Sequence, residues 1–263
     1  MQTLNIAYLY PDELNIYGDR GNILTLYRRC EARGIGVVIT SVGPGDTLDA
    51  DAHDLYFMGG GQDAQQIAVC DDLHAYKAAA LKAAAETNAV FLTICGGYQL
   101  LGHYYKPHEG PELRGLSLID AHTVAGKTRF IGNVVIDRLT ESTGGAEAHG
   151  NEAVKRSSDE PLGVNKIVGF ENHSGLTYLG QGVQPLGKVI KGHGNHGQDG
   201  YEGVCHGNLY GTYLHGSLLP KNPKLADELI AKALMRRYGS VELAPLEDTL
   251  EVAAHTAALQ LRS

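Results

Sequence analysis

Residues 90–102 read VFLTICGGYQLLG, and this stretch decides which fold the sequence predicts. The apolar run Val90–Ile94 is typical of a buried strand, because it is too short for a helix. An amphipathic pattern starts after Cys95, so the sequence predicts a strand that turns sharply into a helix with a cysteine at the turn. The helix N-terminus would favour a thiolate, and Gly96 would let a substrate carbonyl approach the backbone. The alternative is a buried structural cysteine, since free cysteines are often buried.

The rest of the first half alternates between strand and helix patterns. Strands are predicted at residues 4–10, 36–42 and 54–58, and helices at residues 22–33, 63–69 and 75–86. This alternation predicts a doubly wound α/β fold, with a mostly parallel sheet and helices on both faces. Ligands of such sheets bind beyond the carboxyl ends of the strands. Cys95 and the glycine run at residues 59–61 both fall at such ends.

The second half has the pattern of short strands separated by Gly, Asn and His turns. We predict these strands at residues 117–125, 130–139, 166–170, 177–178 and 187–191, as an antiparallel extension of the sheet. The polar stretch at residues 140–162 is typical of a surface excursion. Helices are predicted at residues 223–238 and from residue 249 onwards.

Composition excludes several classes of function. The chain has 263 residues, of which 43% are hydrophobic and 20% charged, as in ordinary soluble globular proteins. A net charge of -8 argues against a nucleic-acid binder. The four cysteines lack CxxC spacing, so neither a zinc ribbon nor a disulfide scaffold is expected, and no metal site is predicted. No signal peptide and no membrane span are predicted, and we expect a cytoplasmic protein.

A cysteine nucleophile needs a proton-transfer partner and an oxyanion hole. His215 is the best candidate partner, because it closes an apolar strand pattern and precedes a glycine. Any one of the 12 histidines is nevertheless more often a surface or core residue. The N–H of Gly96 would be the first oxyanion donor, and Gly60 or Gly61 the second. The sequence holds no GxxxxGK[ST] motif, so a phosphate loop is excluded.

Several blocks of the chain resemble a known family. MGGGQD, ICGGYQLLG, GFENHSGLTYLG and GTYLHGSLLPKNP occur in the order found in the cobyric-acid-synthase-like branch of the class I glutamine amidotransferases. NIYGDRGNI and TRFIGNVVI narrow the resemblance to the glutaminase subunits of lipid II isoglutaminyl synthases. The resemblance covers residues 4–223. We therefore expect a class I glutamine amidotransferase-like domain at residues 1–220, with a C-terminal helical extension at residues 221–263 packed on it.

The resemblance implies roles for three residues. Cys95 would attack the side-chain amide of L-glutamine and release ammonia, with His215 as acid and base. Arg129, in the TRFIGN block, would bind the α-carboxylate of glutamine. A planar guanidinium suits a carboxylate, but on chemistry alone Arg129 could equally be a surface charge on a strand.

The sequence alone does not identify the group that orients the His215 side chain. Many class I enzymes carry a Glu two residues after this histidine, whereas Ser217 stands at that position here. A carboxylate of a partner subunit, or Asp19 or Glu171 of this chain, could orient the imidazole. Asn172 and His173 of the GFENHSG block are predicted to structure a loop near the site, with contact to substrate or partner as the alternative.

The resemblance also implies a partner. A Mur-ligase-like subunit (MurT) would form a heterodimer with this chain and would use ATP and Mg to activate the D-glutamate α-carboxyl of lipid II, near the inner membrane face. No cofactor is expected in this chain. Three other readings compete: another cysteine hydrolase of similar fold, a regulatory subunit with a relic site, and a subunit that amidates a corrin ring, as in cobyric acid synthesis.

Overall fold

Two β-sheets and six α-helices make up the part of the chain that the computed structural model describes, residues 2–139 and 165–261. In chain order the strands are β1 (Thr3–Leu9), β2 (Gly36–Val42), β3 (Leu55–Met58), β4 (Val90–Ile94), β5 (Tyr104–Lys106), β6 (Leu113–Arg114), β7 (Ala121–Arg138), β8 (Lys166–Leu179), β9 (Gly187–Lys191), β10 (Tyr201–Glu202), β11 (Val204–His206) and β12 (Leu209–Thr212). The helices are α1 (Arg20–Glu31), α2 (Asp63–Asp72), α3 (Ala78–Glu86), α4 (Gly96–Leu101), α5 (Pro223–Tyr238) and α6 (Thr249–Gln260). A π-helical turn, Leu73–Lys77, joins α2 to α3.

The first sheet contains the strands of the predicted βαβ units. Its order is β11-β12-β4-β3-β1-β2, and every neighbouring pair is parallel except β11 with β12. Helix α5 packs against β1 and β4, whereas α4 packs against β4 and β12. The prediction of a doubly wound, mostly parallel sheet with helices on both faces is confirmed. The carboxyl ends of β1, β3, β4 and β12 therefore meet at one edge of the molecule.

The remaining strands form a second sheet, in the order β10-β9-β7-β5-β6, with β8 paired antiparallel to β7. None of the strands predicted as an antiparallel extension pairs with the first sheet, and its one antiparallel strand, β11, was not predicted. β7 and β8 are single long strands, so the prediction of four short segments between residues 117 and 178 was wrong at its boundaries. A β-bulge between Ala125 and Phe130 lets β7 continue through the residues that we took for a break. The predicted excursion at residues 140–162 lies outside the described residues.

The main core surrounds the first sheet. Leu4, Ile6 and Leu9 of β1 are at most 1% exposed, and burying one such side chain fully stabilises the fold by about 1.5–3 kcal/mol. Leu225 and Leu229 of α5 belong to the same core.

The division of the chain into a domain at residues 1–220 and a helical extension at residues 221–263 stays a prediction. Between residues 2 and 139 and between 165 and 261, no helix has both the length and the apolar character that crossing a membrane requires.

A buried cluster of charges fastens the C-terminal helices to α1. The Arg29 guanidinium lies 2.6 Å from Asp227 of α5 and 2.6 Å from Asp248, which directly precedes α6. The Arg29 side chain is only 5% exposed, so removal of either carboxylate would leave a buried charge with fewer partners. α1 thus holds both helices in place.

Candidate active site

Cys95 stands at the predicted turn between β4 and α4. Its backbone has φ 49° and ψ −103°, a left-handed conformation that side chains other than glycine rarely adopt and that is found at strained functional turns. Its N–H donates to Thr212 O at 2.8 Å, which ties the turn to the end of β12. Cys95 as a whole is 6% exposed. The strand, the turn and the helix are all present as the sequence predicts.

His215 reaches the same place from the end of β12. It exchanges two backbone hydrogen bonds with Phe170 of β8, with N···O distances of 2.7 and 3.3 Å, and this bridge joins the two sheets. Its side chain is fully buried. A Cβ atom built on Gly60 would lie 2.7 Å from His215 Cε1 and 3.2 Å from Cys95 Cβ. The cysteine and the histidine therefore meet around a position where only glycine fits.

Asp19 lies on the other side of His215. Its Oδ1 is 3.5 Å from His215 Nδ1, and its Oδ2 accepts a hydrogen bond from Gly60 N at 2.7 Å. Burial lowers the pKa of His215, but the neighbouring Cys95 and Asp19 outweigh burial and raise the pKa to about 10. Of the two carboxylates of this chain that we considered for orienting His215, Asp19 is the one in contact with the imidazole.

The backbone N–H of Gly60 donates a hydrogen bond within the protein, so Gly60 is not the second oxyanion donor that the sequence suggested as an alternative to Gly61. Because that N–H donates to Asp19, it does not point freely to a substrate. Gly61 N lies 3.0 Å from the position that a Cβ of Gly96 would occupy, so these two glycines are close neighbours beside Cys95. Gly61 and Gly96 remain the candidate donors, whereas the missing side chain of Gly60 leaves room for the His215 ring.

Glu171 is buried, but its carboxylate forms hydrogen bonds with His193 and Gly194 instead of with His215. Its carboxylate accepts hydrogen bonds from the backbone N–H groups of His193 and Gly194, at 3.0–3.2 Å, and contacts His193 Nδ1 at 2.6 Å. These hydrogen bonds and His173 hold the pKa of Glu171 below its usual value although burial raises it. Glu171 therefore anchors the loop after β9, and its hydrogen bonds do not reach His215.

Arg129, Asn172 and Tyr17 form a chain of hydrogen bonds above the site. Arg129 Nε donates to Asn172 Oδ1, and Asn172 Nδ2 donates to the Tyr17 hydroxyl, both at 2.6 Å. The Tyr17 ring meets the His215 ring edge-on, with centroids 5.1 Å apart. We did not predict a role for Tyr17, although it stands in the NIYGDRGNI block that narrowed the resemblance.

A cavity of about 320 Å³ opens over Cys95. Its wall combines backbone from the glycine loop with polar side chains from α2, α4 and the second sheet. The lining residues are Ile16, Gly61, Gln62, Asp63, Ala64, Gln66, Cys95, Gln99, Tyr105, Arg129, Asn172, His173, Ser174 and Gly175. Gln66 Nε2 donates to Gln99 Oε1 at 2.6 Å, and Gln99 Nε2 donates to the Tyr213 hydroxyl at 3.1 Å. Sequence reasoning missed both glutamines, which are buried polar residues of an amphipathic helix pattern. The cavity suits a small polar molecule with a carboxylate.

His173 forms part of the cavity wall. Its Nδ1 donates to Gly175 O at 2.8 Å, and its ring stacks on Tyr213 with centroids 3.6 Å apart. Burial lowers the pKa of His173, although Glu171 at 3.9 Å opposes that effect. Across the described ranges, no group of three or more His, Cys, Asp and Glu side chains is arranged to hold a metal ion.

Comparison with known proteins identifies the family. The CobB/CobQ-like glutamine amidotransferase domain matches residues 5–223. The chain is 37% identical to the lipid II isoglutaminyl synthase (glutamine-hydrolyzing) subunit GatD of Staphylococcus aureus, over 97% of this chain and 94% of that protein. It is 38% identical to the subunit GatD of Streptococcus pneumoniae, over 94% of this chain and 87% of that protein.

The fold agrees with this result. A crystal structure of a glutamine amidotransferase from Thermotoga maritima superimposes with a TM-score of 0.51 at 14% identity, and covers 97% of this chain and 93% of that chain. The chain therefore belongs to the CobB/CobQ-like glutamine amidotransferases and, within them, to the family of GatD subunits of lipid II isoglutaminyl synthases.

Proposed function

We propose that this chain is the glutaminase subunit of a lipid II isoglutaminyl synthase. It hydrolyses L-glutamine to glutamate and ammonia through a Cys95 thioester and supplies the ammonia for amidation of lipid II. The observation that carries the proposal is the pairing of Cys95, at a positive-φ turn, with a buried His215 under a cavity that also contains Arg129. Membership of the GatD family supports the same reaction.

The acylation step follows from the charges around Cys95. The thiolate attacks the side-chain amide carbon of glutamine, and the carbonyl oxygen gains negative charge as the C–S bond forms. The N–H groups of Gly96 and Gly61 stabilise that oxyanion. His215, whose pKa is raised to about 10, holds the proton that the leaving ammonia needs. The C–N bond then breaks and leaves a γ-glutamyl thioester.

The same pKa argument explains deacylation. Cys95 is the largest contribution that raises the pKa of His215. In the thioester that sulfur carries no charge, so the pKa of His215 falls and the neutral imidazole becomes a base for water. Water attacks the thioester carbon, the C–S bond breaks, and glutamate leaves. Asp19, 3.5 Å from Nδ1, keeps Nε2 directed to the reacting atoms.

The partner in this proposal is a Mur-ligase-like subunit (MurT). That subunit would bind ATP and Mg and activate the D-glutamate α-carboxyl of lipid II, and the two chains would work as a heterodimer on the cytoplasmic side, near the inner membrane face. The support is the name of the relatives, which are subunits of a synthase. No cofactor is assigned to this chain.

The test is ammonia release from L-glutamine by this chain, alone and with the Mur-ligase-like subunit. Cys95→Ala should abolish turnover. Arg129→Ala should raise KM for glutamine about tenfold or more, because a charged carboxylate loses its guanidinium. Lys127→Ala is the matched control, since Lys127 is an exposed basic residue of the same strand that does not contact the cavity. Turnover that survives in Cys95→Ala would overturn the mechanism.

A further inference from the structure

The charges on the cavity wall are complementary to a free amino acid. Among the described residues that line the cavity, Arg129 is the one cation and Asp63 the one carboxylate. An α-amino acid bound over Cys95 presents both an α-carboxylate and an α-ammonium group. The guanidinium can serve the carboxylate, which leaves the ammonium without an assigned acceptor.

Asp63 is held at the rim of the cavity by a neighbour. It is the first residue of α2, two positions after Gly61, and it is exposed. The Tyr105 hydroxyl donates to Asp63 Oδ1 at 2.9 Å, from a ring that is only 2% exposed. Burial and the Asp63 carboxylate raise the pKa of Tyr105, so this hydroxyl keeps its proton and stays a donor. One carboxylate oxygen is fixed, and Oδ2 takes no part in that bond.

The other side-chain oxygens on the wall are neutral, and two of them already accept hydrogen bonds. Asn172 Oδ1 accepts from Arg129, and Gln99 Oε1 accepts from Gln66. Both are neutral amide oxygens, which attract an ammonium group less than a carboxylate does. Asp63 is therefore the acceptor with the matching charge.

We propose that Asp63 binds the α-ammonium group of L-glutamine and so makes the site specific for an amino acid with a free α-amine. This inference rests on the proposed glutaminase function and adds a second anchor to it. Arg129 and Asp63 would hold the two ends of the zwitterion, which fixes where the side-chain amide lies relative to Cys95. Asp63 is a specificity-determining residue, and Tyr105 positions it.

The test compares two substrates in the complex with the Mur-ligase-like subunit. L-Glutamine carries the α-ammonium, whereas 4-carbamoylbutanoate is the same molecule without it. Asp63→Asn should raise KM for L-glutamine roughly tenfold, with little change in kcat, and should leave turnover of 4-carbamoylbutanoate unchanged. Asp71→Asn is the control, because Asp71 is an exposed carboxylate of the same helix that does not line the cavity. An unchanged KM for L-glutamine in Asp63→Asn would overturn the proposal.

Two further measurements keep the result unambiguous. Tyr105→Phe should raise KM for L-glutamine less than Asp63→Asn does, because the carboxylate remains but loses its positioning bond. Labelling of Cys95 with 6-diazo-5-oxo-L-norleucine, a reagent with an α-ammonium, should slow in Asp63→Asn, while labelling with iodoacetamide should not. Equal slowing with both reagents would mean that the site has been distorted and would count against the assignment. If the unmodified complex releases no ammonia, the proposed function itself fails.

Discussion

Glu202 leads to a prediction that links the stability of the fold to the turn that carries His215. Glu202 lies at the end of β10 and is 1% exposed. It accepts hydrogen bonds from the Thr212 hydroxyl and from Tyr213 N, the latter at 2.8 Å. Burial raises the pKa of Glu202 from 4.5 to about 7, although both hydrogen bonds lower it. The folded protein therefore binds this proton more tightly than the unfolded chain.

The sign and size of the effect follow from linkage. Well below pH 4.5 the carboxyl is protonated in both the folded and the unfolded state, so its burial does not reduce the free energy of unfolding through ionisation. Between pH 4.5 and 7 the free energy of unfolding falls as pH rises, because the unfolded chain loses this proton first. Above pH 7 the full cost of about 3 kcal/mol is present. Glu202→Gln keeps an acceptor for both hydrogen bonds and never ionises. We therefore expect the stability advantage of the variant over the unmodified protein to increase by about 2–3 kcal/mol from pH 5 to pH 8.

Urea unfolding at pH 5, 6, 7 and 8 measures this difference directly. Glu247→Gln is the matched control, because Glu247 is exposed and precedes α6. Its free energy of unfolding should follow that of the unmodified protein at every pH. A Glu202→Gln variant whose difference from the unmodified protein is the same at pH 5 and pH 8 would refute the argument that burial dominates this carboxyl.

Two more substitutions test the geometry of the site, and a third tests the stability of the fold. Asp19→Asn should lower kcat at least about tenfold and move the alkaline limb of kcat/KM to lower pH, because Asp19 raises the pKa of His215; an unmoved limb between pH 6 and 10 would contradict this. Gly60→Ala should abolish ammonia release, since the added Cβ would lie 2.7 Å from the imidazole, whereas Gly132→Ala, with no atom within 4 Å, should leave it intact. Asn222→Ala removes three buried hydrogen bonds to backbone and should cost about 2–3 kcal/mol of stability, and thermal unfolding at an unchanged Tm would count against it.

The parts of the site that follow from local pattern could be predicted. Cys95 lies at a turn between an apolar run and an amphipathic run, and His215 closes a strand, so both positions follow from a few adjacent residues. The role of Gly60 could not be obtained in this way. Its N–H is taken by Asp19, 41 residues away in the chain, and no pattern of neighbours records that contact. The family resemblance included the loop that contains Asp19 and the loop that contains Gly60, but it did not indicate the hydrogen bond between these two residues.

The second sheet was harder to predict for a different reason. β7 and β8 contain glycine, asparagine and histidine where a strand pattern normally stops, and local propensity therefore favours a break. The pairing of β7 with β8 overrides that preference, and the bulge after Ala125 absorbs the irregular residues. Arg129 lies inside this bulge. The feature that hid the strand from the sequence pattern is thus the one that directs Arg129 to the cavity.

In the reaction that we propose, the two sheets contribute different parts, and His215 joins them. The first sheet supplies Cys95 and the glycine loop, which belong to the chemistry of any thioester. The second supplies Arg129, which would bind the α-carboxylate of glutamine, and Asn172, which accepts a hydrogen bond from Arg129. Because His215 pairs through its backbone with Phe170 of the second sheet, a shift of β8 would move the base relative to the nucleophile. In this proposal, substrate bound by the second sheet would influence proton transfer at the first, and a partner that contacts β8 would act in the same way.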